Sequence, residues 1–125
     1  MYAIKISGNF KTMTARAAAP AQPPYPTLSD HLKTAQHLFN FTNTNGDCIG
    51  FLLPPYMAKT NVPGYHFHYL ATNKKSGGHV FAFTADELRI EIDEIDAFYI
   101  ETNTHADFKK INLKEDRAAE LKRIE

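Results

Sequence analysis

The chain has no tryptophan, a single cysteine, only six glycines and no net charge in 125 residues. One cysteine, Cys48, closes no internal disulfide and excludes both a disulfide-stapled scaffold and a cysteine-rich zinc module; it fits a reducing compartment. Fourteen basic residues offset fourteen acidic ones, so the electrostatic footprint of a nucleic-acid or anionic-membrane binder is missing. No apolar run approaches the ~18 residues of a membrane helix, and the N-terminus lacks the apolar core of a signal peptide. The expectation is a soluble, cytoplasmic protein with neither nucleic acid nor membrane as partner. What is present, 43% apolar and 22% charged residues, is the composition of one globular domain over residues 1–125.

Alternation of apolar and polar residues dominates the chain. Tyr2, Ile4 and Ile6 alternate with Ala3, Lys5 and Ser7, Gly8-Asn9 reads as a turn, and Phe10 to Ala15 resumes the period of two. A strand starting so close to Met1 is an abrupt beginning, as if the chain were part of something longer. Four of seven prolines fall between Ala17 and Pro26, marking an extended connection. A short helix with Leu32 and Ala35 follows, capped by Ser29-Asp30 or by Thr27. Leu38–Thr42 and Cys48–Leu53 flank Asn45-Gly46, a hairpin signal, and Pro54-Pro55 ends the second strand. Further strands are predicted at Tyr65–Ala71, His79–Thr84, Leu88–Asp93 and Ala97–Ile100, and a C-terminal helix from Asp107 onward. This inventory of seven or eight short strands predicts a mainly β (α+β) fold, a small antiparallel barrel or sandwich with one or two short helices and a C-terminal helix.

The chemistry concentrates in Gly64-Tyr65-His66-Phe67-His68-Tyr69 and, after a loop with a diglycine exit, in His79. Residues two apart on a strand project from one face about 6.6 Å apart along the chain, so both imidazoles can reach one ion. A tight reversal centred on Lys75-Ser76 would leave His79 roughly 13 Å along the strand from His68, so a shifted ladder is required, with a bulge at Gly77-Gly78 as the natural device. A lone His-x-His strand is more often a pair of ordinary half-buried histidines than a ligand pair; a third histidine on an aromatic-flanked strand shifts the balance toward a metal. Three neutral imidazoles would leave the ion its full charge and an open position, as in catalytic zinc. The donor set also suits Fe, Ni or Cu.

Other candidates say less alone. Arg16 lies between a strand and the proline-rich segment, where a guanidinium could clamp a carboxylate or stay a surface charge. Nothing local distinguishes Glu125. Cys48 reads as a small core residue with no positive charge near enough to activate it. His31, His37 and His105 read as surface or cap residues.

Taken together, Tyr2-Ala3-Ile4-Lys5-Ile6, the Arg16 segment leading to Pro23-Pro24-Tyr25, Gly50-Phe51, Gly64-Tyr65-His66-Phe67-His68 and Ser76-Gly77-Gly78-His79-Val80 resemble the carboxyl-terminal half of bacterial α-acetolactate decarboxylase. The resemblance implies Zn²⁺ held by His66, His68 and His79, with Arg16 facing the substrate and Glu125 as the glutamate near the C-terminus. It implies conversion of 2-acetolactate to acetoin and CO₂ through a zinc-stabilised enediolate, a step that needs a Lewis acid. The family's amino-terminal half, which adds a mixed sheet and a further active-site glutamate, has no counterpart in the sequence. The expected states are therefore a homodimer or association with a separate amino-terminal half. Two other readings compete: a catalytically silent metal-binding domain or half of a split enzyme, and a small-ligand barrel whose histidines merely line a pocket.

Overall fold

The computed structural model describes residues 1–112 and 114–124. Its elements are β1 (Tyr2–Ala18), α1 (Leu28–Ala35), β2 (Gln36–Leu53), β3 (Gly64–Ala71), β4 (Gly77–Thr84), β5 (Leu88–Glu94) and α2 (Ala118–Ile124), with 3₁₀ turns at Pro55–Met57 and Phe108–Lys110. All strand pairs are antiparallel: β1 pairs with β2, β4 and β5, and β3 with β2 and β4. Four strands thus close on one another and β5 extends outward from β1. The mainly β, antiparallel expectation holds, in the form of one five-stranded sheet that is only partly a barrel.

Five long strands replace the seven or eight short ones expected. Gly8-Asn9 and Asn45-Gly46 do not turn the chain: Gly8 faces Gly46 and Asn9 faces Asn45 inside one continuous β1–β2 ladder. The physical reason is that the strand bends instead of reversing. Ile4, Ile6 and Phe10 are buried before the bend, Met13 and Ala15 after it, so the buried face changes parity. The ladder is irregular at that point, where Asn43 takes φ 49° between the pairs Phe10–Thr44 and Thr12–Thr42. The reversal between β1 and β2 is made by the proline-rich segment and α1. Thr27, one of the two caps considered, caps α1 by accepting from the Asp30 N–H at 3.2 Å, and a hydrogen bond from Lys33 holds the Asp30 carboxyl below its ordinary range. The strand expected at Ala97–Ile100 is absent, because these residues pair with no strand. The C-terminal helical region is shortened to the 3₁₀ turn and α2.

The core lies on one side of the sheet. Phe10, Met13 and Cys48 are fully buried, with Ile4, Ile6, Tyr69 and Ala71 around them. Phe10 meets Tyr69 and Phe83 edge-to-face at 5.5 and 5.3 Å, the offset geometry aromatic quadrupoles favour. The Tyr69 hydroxyl remains satisfied by bonding Thr44 Oγ1 at 2.6 Å and donating to the Asn45 carbonyl at 3.1 Å. Burial pushes the Cys48 thiol up to about 12, with the Asp47 carboxylate adding to the shift, so Cys48 is the inert core residue its sequence context suggests.

Candidate metal centre

On β3, alternate residues divide between the two sides of the sheet. Tyr69 and Ala71 enter the core and Phe67 packs against it, which leaves His66 and His68 on the opposite face. Cross-strand partners share a face, and His79 of β4 is the partner of both His68 and Arg16. One registry thereby places three imidazoles and a guanidinium together. The required convergence does not come from a bulge at Gly77-Gly78. The chain reverses earlier, at Ala71–Lys74, where the Lys74 N–H donates to the Ala71 carbonyl at 2.8 Å and Lys74 takes φ 57°. The Ala71 N–H in turn donates to the Ser76 carbonyl at 2.8 Å. An irregularity does occur on β4, but against β1: Thr14 pairs with Ala82 and Ala15 with Val80, leaving Phe81 as the extra residue.

Two glycines let the strands approach this closely. A Cβ on Gly50 would lie 1.9 Å from the His66 carbonyl, and one on Gly78, at φ 151°, would lie 2.4 Å from the Arg16 carbonyl. Each glycine seats the strand that carries a site residue against its neighbour.

The His66 and His68 rings stack with centroids 5.3 Å apart and a 14° interplanar angle, and their Nε2 atoms are 3.2 Å apart. The His79 ring stands edge-on to both, at 4.8 and 5.4 Å. The candidate ligand atoms of the trio all lie within 4.8 Å of one another. Nitrogens bound tetrahedrally at ~2.0–2.1 Å from zinc are about 3.4 Å apart, so small rotations bring this donor set onto one ion. Three imidazoles are a donor set that binds zinc well. His79 is 8% exposed, whereas His68 is exposed and His66 half-buried, so an ion there would be gripped from below and open above.

Arg16 is half-buried, and its guanidinium carbon sits 5.0 Å from the centre of the Phe81 ring. That ring meets His79 edge-on at 5.4 Å. Phe81 was not singled out in the sequence; its position two residues after His79, on the same strand, was the available signal. Ile49 and Phe51, opposite His68 and His66, add exposed apolar surface beside the trio. Glu125 lies outside the described residues. His31 and His105 are elsewhere: His31 Nε2 is 2.7 Å from the Ala19 carbonyl oxygen, and His105 Nδ1 is 3.7 Å from Asp107. His37, on β2, is exposed.

Fold and site define a mainly β protein with three histidines on an open sheet face that can hold a metal ion. The sequence model of the alpha-acetolactate decarboxylase family matches residues 1–115, and the chain belongs to that family. It is 33% identical over 124 residues to the alpha-acetolactate decarboxylase of Methanosarcina mazei, covering 99% of this chain and 43% of the relative. Against the Brevibacillus brevis enzyme the identity is 36%, with the same coverage. The crystal structure of acetolactate decarboxylase from Bacillus subtilis subspecies spizizenii superposes with a TM-score of 0.89 at 34% identity, covering 95% of this chain and 51% of that one. The chain thus spans about half the length of the relatives it matches.

Proposed function

We propose that the chain carries the metal centre of an acetolactate decarboxylase and converts 2-acetolactate to acetoin and CO₂. The observation that carries this reading is the convergence of His66, His68 and His79, with ligand atoms within 4.8 Å, in a member of that family. Zn²⁺ is the cofactor the donor set fits, and when bound it would supply a Lewis acid for the substrate's ketone and hydroxyl oxygens. The three histidines would hold the ion through neutral nitrogens, on the face of the sheet away from the core. Arg16, paired with His79, binds the substrate carboxylate through its planar fork, and the Phe81 ring beneath it restricts where that fork points. As the bond to the carboxylate carbon breaks, its electron pair passes to the neighbouring ketone and CO₂ departs. A proton then replaces CO₂ on carbon, and Glu125 is assigned its delivery. The cytoplasm is the proposed compartment.

Zinc-loaded chain incubated with 2-acetolactate is expected to release acetoin, while chelator-treated chain releases none. Its coverage of only 43% of its relatives favours one second reading, a metal-binding domain that is silent until a partner supplies the remaining half. Stoichiometric zinc without acetoin, and acetoin once that half is added, would establish the second reading over the first. A self-sufficient chain would act as a homodimer.

A further inference from the structure

The histidine face of the sheet carries an unbroken cross-strand row. Lys5 pairs with Ile49, Ile49 with His68, His68 with His79, His79 with Arg16 and Arg16 with Leu38. Cross-strand partners share a face and neighbouring strands lie ~4.7–4.9 Å apart, so Arg16 and Ile49 stand three strand spacings apart with two of the histidines between them. In the neighbouring row on the same face, Phe51 is opposite His66. Cys48 enters the core from β2 and Leu52 packs against it, which turns Ile49 and Phe51 to the histidine face, where they are 55% and 46% exposed. Gly50 lies between them. Because a Cβ there would fall 1.9 Å from the His66 carbonyl, it seats this stretch of β2 hard against the histidine strand. Beyond Ile49 the apolar surface stops at Lys5, which pairs with Asp47 at 3.7 Å.

We infer, resting on the proposed function above, that Ile49 and Phe51 form the acyl subsite of the centre and set which 2-hydroxy-3-keto acids it takes. With the substrate carboxylate at Arg16, the order of the row and the tetrahedral C2 fix the rest of the molecule. C2 bears four groups. Its carboxylate points to Arg16 at one end of the row, and its hydroxyl faces the histidines. The acyl carbon, whose ketone oxygen faces the histidines beside that hydroxyl, continues along the row away from Arg16. The acyl chain therefore runs onto Ile49 and Phe51. The C2 methyl takes the remaining direction, out of the sheet. An acyl chain of a few carbons finds apolar surface there, whereas a longer one meets the charged Lys5–Asp47 pair. The class of substrate selected is a 2-hydroxy-3-keto acid with a short apolar acyl group, discriminated at the acyl end and not at the C2 alkyl group.

Three probes test this without turnover: the reduced analogue of 2-acetolactate, in which a hydroxyl replaces the ketone so that CO₂ cannot leave, and two homologues of it, one lengthened by two carbons at the acyl end and one at the C2 methyl. Calorimetric titration of the zinc-loaded chain is expected to show the acyl-lengthened probe binding about 10-fold more tightly than the parent, the worth of two partly buried methylenes. The C2-lengthened probe should bind like the parent. Ile49→Thr combined with Phe51→Ala should erase the acyl gain, and Ile49→Val should keep it. Both positions are exposed, and zinc stoichiometry at the level of the unmodified chain, with unchanged far-UV circular dichroism, separates a lost subsite from a lost metal or a lost fold. Equal responses to the two lengthenings, or an acyl gain that survives in the double variant, would overturn the acyl subsite and leave the proposed function standing. Binding of none of the probes, by the chain alone and after the complementary half is added, would overturn the carboxylate placement at Arg16 and the subsite with it.

Discussion

On the core side of β3, Tyr69 is 2% exposed and fixed by aromatic contacts and hydrogen bonds; on the other side, the His66 and His68 rings stack on each other and meet the His79 ring edge-on. One strand serves both sides, because successive side chains alternate between them. The difference teaches that stability and chemistry are separable by residue parity along the same eight residues. Substitutions on one side should move unfolding and leave metal uptake alone, and those on the other side should do the reverse.

The largest separation is expected from His66→Ala with His68→Ala. Losing groups that only orient metal ligands already costs about 10–100-fold in affinity or activity, so losing two ligands should lower both by more than ~10²-fold. Metal content and acetoin release check this, while denaturant unfolding of the zinc-free proteins should change little. The converse is Phe10→Ala, which removes a fully buried ring between Tyr69 and Phe83. It should lower unfolding free energy by ~3–5 kcal/mol, with zinc stoichiometry preserved in whatever fraction remains folded.

How far this division is legible in the sequence depends on range. The period of two around His66 and His68 is local and places both on one face; the diglycine and His79 announce a returning strand. The arrival of His79 opposite His68 depends on a turn at Ala71–Lys74 with Lys74 at positive φ, which no glycine marks, so the reversal was expected too late in the chain. Gly8 and Gly46 show the opposite error. Both resemble turn glycines, but they face each other across β1 and β2, where long-range pairing overrides local turn chemistry. Family resemblance brought Arg16 into view, because a lone arginine after a strand has no local signature.

Arg16→Lys sharpens the division within the outer face. It keeps the charge and loses the planar fork over Phe81, so kcat/KM for acetolactate should fall about 10-fold with metal content unchanged. At neutral pH the smallest effect belongs to Cys48. Its thiol ionises near 9.0 when the chain is unfolded but is pushed up to about 12 in the fold. The associated stability is complete below pH 9 and declines as pH rises toward 12, because only the unfolded chain releases the proton. Cys48→Ala should flatten that alkaline decline, as read from denaturant midpoints across the range.

The pairing of Ile4 with Ile92 also sets a timetable for synthesis. At ~5–20 residues per second, the ribosome delivers β5 roughly 4–18 s after the opening half of β1. Throughout that interval β1 has β2 and then β4 to join, while among the described residues the strand that pairs along the other side of Tyr2–Gly8 has yet to emerge, so a nascent chain carries an unprotected strip of backbone until Leu88–Glu94 are made. Chaperone demand should therefore follow the arrival of Leu88–Glu94 more closely than the formation of the histidine cluster.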